Sequence, residues 1–167
     1  QSESGKTIIG SNNLFMAYTH VGHDAYLKDH VILVNHAALA GHVVVEDYAI
    51  IGAFCAIHQF TSIGESAMLT HAARVSKDVL PYVIVAKNPN KICGLNKVGL
   101  KRRGFSAEEI TKIFKAYKLI FRREDVSTNI ESQLTDIAKE SEHVGNMLKH
   151  IKSSKRGVLY NSMRKEV

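Results

Sequence analysis

The sequence predicts a mainly β fold, a parallel β-helix of hexapeptide repeats followed by a C-terminal α-helical domain. Three observations carry this. Written in sixes from Ile9, the first positions are Ile9, Phe15, Val21, Leu27, Leu33, Leu39, Val45, Ile51, Ile57, Ile63, Leu69 and Val75, all apolar. At an apolar content of 45% such a run arises by chance about once in ten thousand frames. The fifth positions, from Asn13 through Ala25, Val31 and Ala37 to Val79, hold nothing larger than Val after Asn13. Beyond Pro81 the rhythm stops, and a helical periodicity takes over from Ser106.

A single repeat cannot bury its own apolar side chain, so successive coils must stack. Three hexads make one triangular coil, and the repeats supply four coils at a strand spacing of about 4.8 Å. Glycine at the second positions Gly10, Gly22, Gly52 and Gly64 is read as permitting the tight corners. Residues eighteen apart then lie above one another. His23–Asp24, Gly41–His42 and His58–Gln59 fall on one wall, with His20 at the neighbouring corner. His30 and His36 belong to the other two faces and read as ordinary polar surface residues, while Cys55 reads as a small interior hydrophobe. Successive strand residues point to opposite faces, so a direct His23–Asp24 contact requires a bend or a neighbouring chain.

Residues 81–104, with Pro81, Pro89, Gly94, Gly99 and Gly104, read as an irregular connection. Ser106-Ala-Glu-Glu109 is a capping box opening a helix with Ile110, Ile113, Phe114, Tyr117, Ile120 and Phe121 along its core face. A second helix is expected at about 128–140, with Ile130, Leu134 and Ile137 inward. A third is expected at about 142–153, with Val144, Met147, Leu148 and Ile151 inward. The expected organisation is a β-helix over 7–80, the connection over 81–104 and a helical domain over 105–167 that caps the solenoid. The polar start, Gln1 to Lys6, offers no cap, so preceding coils are expected.

The chain has 167 residues, of which 23% are charged. No apolar run approaches the roughly 20 residues of a membrane span, so no integral membrane segment is expected. Two cysteines, Cys55 and Cys93, make no disulfide framework, which points to a reducing cytoplasm. Residues 81–123 carry eleven Lys/Arg against two Asp/Glu, whereas residues 1–80 carry four against seven. That segment would steer an acidic partner: nucleic acid, phosphates or an acidic protein.

The stretches NNLFMAYTHVGHD, LAGHVVVEDYAIIGAFCAIHQF, DVLPYVIV, GLKRRGF and AYKLIFR make the chain resemble, from about Thr7 to Gly157, the bacterial UDP-N-acetylglucosamine O-acyltransferases that begin lipid A synthesis. The resemblance implies a left-handed β-helix, against the general preference for right-handed crossovers, with a C-terminal helical domain, a homotrimeric assembly and further N-terminal coils. It implies transfer of an (R)-3-hydroxyacyl group from acyl carrier protein to the 3-hydroxyl of UDP-N-acetylglucosamine, with no cofactor, no metal and no nucleic acid. By the same resemblance His23 is the general base, Asp24 orients it, and the Gly41 N–H receives the oxyanion. His20, His42 and His58 would bind the sugar or its donor, and Gln59 would lie near the donor chain. Asn96 would contact uridine, and Arg102 and Arg103 phosphates. The basic segment would meet the acidic carrier protein.

Two positions depart from the family. His71 stands where glycine or another residue limiting the acyl chain is usual, which implies a shorter preferred chain, and Val98 stands where relatives often carry a carboxylate. Three other readings stay open. One is a zinc enzyme of the gamma carbonic anhydrase type, its metal held by three histidines from adjacent chains. Another is the related N-acyltransferase of the same pathway. The third is a non-enzymatic scaffold.

Overall fold

The computed structural model describes residues 5–86, 90–121 and 130–160. Short strands recur every six residues and stack into three walls. The first wall holds β1 (Ile8–Ile9), β4 (Tyr26–Leu27), β7 (Val44–Val45) and β10 (Ser62–Ile63). The second holds β2 (Leu14–Phe15), β5 (Ile32–Leu33), β8 (Ile50–Ile51) and β11 (Met68–Leu69), and the third β3 (His20–Val21), β6 (Ala38–Leu39), β9 (Ala56–Ile57) and β12 (Arg74–Val75). All neighbours within these twelve are parallel, in the register Ile8↔Tyr26 and His20↔Ala38, so eighteen residues make one coil. The result is four coils of a left-handed parallel β-helix.

The expected interior is observed. Leu27, Leu33, Leu39, Val45, Ile51, Ile63 and Leu69 are fully buried, and Ala25, Val31, Ala37, Val43 and Ala49 fill the gaps between them. In the first coil Ile9 and Phe15 remain 46% and 37% exposed, because stacking covers them from one side only.

The corners differ from expectation. The residue that turns the chain is the fourth of each of the first eleven hexads, from Asn12 and Tyr18 to Ser66 and Ala72, with φ between 53° and 63°, and none is glycine. Left-handed backbone costs an L-residue roughly 1–2 kcal/mol. From His30 to Ala72 the cost is offset because each such N–H donates to a carbonyl of the preceding coil, as in His36 to Ala17 (3.0 Å) and His42 to His23 (2.9 Å). The second-position glycines serve close approach instead: a Cβ on Gly22 would lie 2.6 Å from the Ala40 carbonyl carbon.

The described parts of the segment expected to be irregular form regular elements. β13 (Val83–Ala86) continues the second wall beside β11, but with Met68 opposite Ile84, a shortened winding. It then pairs antiparallel with β14 (Lys91–Leu95). An open strand edge recruits backbone even where the hexad rhythm has ended. A short helix, α1 (Lys97–Arg102), follows, capped by Asn96, whose side chain accepts from Gly99 N–H at 3.0 Å.

Among the described residues three helices follow: α2 (Ala107–Phe121), α3 (Ile130–Glu140) and α4 (Glu142–Ser153). They bury Ile110, Ile113, Tyr117, Leu134, Val144 and Met147. Residues 128 and 129 and the Ile130 side chain, part of the expected second helix, lie outside what is described. The capping box is half formed. Ser106 Oγ accepts from Glu109 N–H at 3.1 Å, but the Glu109 carboxylate accepts from Ser141 Oγ and so ties α2 to the start of α4. The final segment folds back on the last coil, where the buried Asp78 carboxylate accepts from Ser62 N–H (2.8 Å) and Ser154 Oγ (2.6 Å).

Candidate active site

The corners between the third and first walls carry the histidine wall foreseen from the eighteen-residue spacing. His23 and Asp24 sit on one coil, Gly41 and His42 on the next, and His58 and Gln59 on the third. His23 Nδ1 lies 2.9 Å from Asp24 Oδ2 within one chain. The left-handed turn at Asp24 (φ 56°) supplies the bend that makes this contact possible. The hydrogen bond from His23 is the largest effect holding the Asp24 carboxyl below its ordinary value of 3.8, and His42 adds a smaller lowering. The Asp24 carboxyl therefore stays ionised at neutral pH.

With Nδ1 facing the carboxylate, Nε2 of His23 is directed at Gly41. A Cβ there would lie 2.6 Å from that nitrogen, so only glycine leaves room for the ring. At another corner the third-position amides of Ser11 and Asp29 donate to the Asp29 and Asp47 carboxylates. The corresponding Gly41 N–H has no acceptor among the described residues. It is thus a hydrogen-bond donor left unused by the described residues, at the corner where the His23 ring lies.

His42 lies edge-on to His23, ring centroids 5.1 Å apart, and its Nε2 is 3.9 Å from Asp24 Oδ2. Phe60, one coil further, stacks on His42 at 4.5 Å with planes 10° apart and holds its orientation. Asp24 Oδ1 is shielded and has no hydrogen-bond partner among the described residues. His23, Asp24 and His42 are also the described side chains whose ligand atoms, all within 4.8 Å of one another, could hold a metal ion.

The other expected residues are more dispersed. His20 is exposed on β3, just before the corner, and His58 and Gln59 are exposed beyond β9. His71 stands at the corner between the second and third walls, edge-on to Phe54 at 5.5 Å. Asn96 is 5% exposed, and its amide is engaged at both ends, donating to Ser66 O at 3.0 Å while capping α1. Val98 on α1 is 62% exposed.

The paired arginines part company. Arg102 is exposed, whereas Arg103 is bound to Glu65 Oε1 at 2.7 Å and lies over the Tyr48 ring at 3.7 Å. Glu65 also accepts from the Tyr82 hydroxyl at 2.8 Å, and burial, aided by that carboxylate, pushes the hydroxyl far above its ordinary value. Sequence reasoning missed Glu65, Phe60 and Tyr82. A signal for Phe60 was present, since rings recur at the fourth positions. His30 stacks on Tyr48 at 4.4 Å, and His36 stacks on Tyr18 at 5.0 Å and on Phe54 at 4.7 Å. His30 and His36 are therefore members of ring columns.

Among the described residues no helix is long and apolar enough to cross a membrane. A family model described as UDP-N-acetylglucosamine O-acyltransferase, domain 2, matches residues 78–159. The chain is 46% identical over 157 residues to the acyl-[acyl-carrier-protein]–UDP-N-acetylglucosamine O-acyltransferase of Saccharophagus degradans, covering 94% of this chain and 61% of that protein. It is 41% identical to that of Ectopseudomonas mendocina, covering 83% of this chain and 53% of that protein. The structure of the UDP-N-acetylglucosamine acyltransferase of Francisella novicida superposes with a TM-score of 0.92 at 39% identity, covering 96% of this chain and 59% of that one. The chain thus spans less than two thirds of the length of these relatives. The zinc-enzyme and N-acyltransferase readings are not favoured by these matches.

Proposed function

Because the chain belongs to the UDP-N-acetylglucosamine O-acyltransferase family, as its C-terminal portion, we propose that the protein it comes from transfers an acyl group, of the (R)-3-hydroxyacyl class, from acyl carrier protein to the 3-hydroxyl of UDP-N-acetylglucosamine. The observation that carries this is the His23–Asp24 pair with Nε2 laid against Gly41. A sugar hydroxyl is a weak nucleophile near neutral pH and needs a base. Nε2 of His23 takes its proton as the oxygen attacks the thioester carbonyl. Asp24 fixes the tautomer with the proton on Nδ1 and stabilises the imidazolium. The Gly41 N–H donates to the oxyanion. As the tetrahedral species collapses, the C–S bond breaks and the imidazolium returns its proton to the leaving thiolate.

Exposed Arg102 is proposed to meet a phosphate and the basic segment the acidic carrier protein, in the cytoplasm. Arg103 and Asn96 support that surface from within the fold. One chain presents His23, His71 and Arg103 at three different corners of a prism, and corners converge only through neighbouring copies. A homotrimer satisfies this geometry. The test is an acyl-transfer assay on the full-length protein with donors of several lengths. Wild type should transfer and His23→Ala should lose at least about 100-fold in kcat; activity surviving His23→Ala would overturn the reading.

A further inference from the structure

We propose that His23, Asp24 and His42 form a binding site for a divalent transition-metal ion, zinc by preference, which blocks the base. The inference rests on the functional reading for its consequence but not for the binding itself. His23 Nδ1, Asp24 Oδ2 and His42 Nε2 come from one chain, at separations of 2.9 Å and 3.9 Å from the carboxylate oxygen. Ligands around tetrahedral zinc, bonded at about 2.0–2.1 Å, lie roughly 3.3 Å apart. The two distances bracket that value, and small ring rotations close the difference. His23, with a side chain 75% exposed, is free to make one.

The corner is built rather than incidental. Asp24 and His42 occupy left-handed turns on successive coils, joined by the His42 N–H to His23 O bond. Phe60 holds the His42 ring, and Gly41 leaves space for His23. Asp24 Oδ1, with no hydrogen-bond partner among the described residues, offers a second oxygen. Two imidazoles and one carboxylate suit zinc, nickel or copper, whereas magnesium and calcium prefer oxygen ligands throughout. A fourth position stays open to water.

The consequence follows from the tautomer. A metal on Nδ1 displaces the proton shared with Asp24 and confines the neutral ring's remaining proton to Nε2. That nitrogen can no longer accept a proton from a hydroxyl. Zinc and catalysis therefore exclude each other.

The test titrates zinc chloride into chelator-treated full-length protein, following heat and the imidazole resonances, with circular dichroism as a check on folding. One saturable zinc per chain is expected. Asp24→Asn and His42→Ala should each weaken it by more than about tenfold. His23→Ala, a change at an exposed side chain that leaves the fold intact, should abolish it. His36→Ala should leave it unchanged, and magnesium should not compete. Absence of saturable binding to wild type, or binding that survives His23→Ala, overturns the proposal. Saturable zinc binding by a protein whose metal-free form shows no acyl transfer would sink the functional reading alone, and acyl transfer by a protein that binds no zinc would sink this one alone.

Discussion

The imidazole of His23 fills the space that a side chain at Gly41 would need, with Nε2 2.6 Å and Cε1 2.7 Å from where a Cβ would stand. The exposed ring can swing away, so Gly41→Ala should leave the fold intact. It should also lower kcat by at least about 100-fold, since both the base and the amide lose their alignment. Steady-state kinetics with a thermal melt on the same sample separates the two effects.

Asp24→Asn keeps the shape of the dyad and removes its charge. A fall in kcat of roughly tenfold to 100-fold is expected, smaller than in a buried triad because this pair is partly exposed. The folded carboxyl titrates below its ordinary value of 3.8. Its contribution to stability is therefore present above that value and lost as pH falls through the lower folded one. Acid-unfolding curves of wild type and variant should converge at the acid end.

His150 on α4 has a buried Nε2 with no partner among the described residues. Burial lowers its pKa from 6.5, with Asp78 and Glu46 opposing the shift more weakly. The unfolded chain then binds the proton first, so stability is full above 6.5 and falls as pH drops below it. His150→Gln should flatten that slope in melting temperatures measured across mildly acidic pH.

Glu65 and Arg103 have side chains 18% and 22% exposed. Glu65→Ala should cost about 1–3 kcal/mol in denaturant unfolding, below the figure for a fully buried pair because water still reaches it. Arg103→Lys should not restore wild-type stability to an otherwise intact chain, since an ammonium cannot both fork to Glu65 and Ser66 and lie flat on Tyr48.

His71, exposed beside Phe54, is proposed to limit the acyl chain. His71→Gly should shift preference toward longer hydroxyacyl donors in competition assays. An unchanged ratio would remove that role.

The four-coil winding was legible because one apolar residue every six must face inward, and burial enforces that pattern wherever the chain stacks. The same arithmetic placed His23, Gly41 and His42 at one corner. The Asp24 bend was not legible. Local preference gives Phe54, Tyr48 or His42 no reason to adopt positive φ; there the backbone bond to the coil beneath imposes it, whereas Asp24 shares the turn with no such bond among the described residues. Nor were the strands Val83–Ala86 and Lys91–Leu95 visible, since Pro and Gly punctuation hid a strand recruited by the edge of β11.

What the sequence determined by itself was the periodic scaffold and the column of groups that share a corner, because both repeat with the winding. Only the tertiary structure decided which polar atoms in that column touch, and that Arg103 is held by Glu65 while Arg102 is exposed. Those outcomes depend on partners 38 residues apart and on the hand of single turns, where a few tenths of an ångström decide the contact and no periodicity records it.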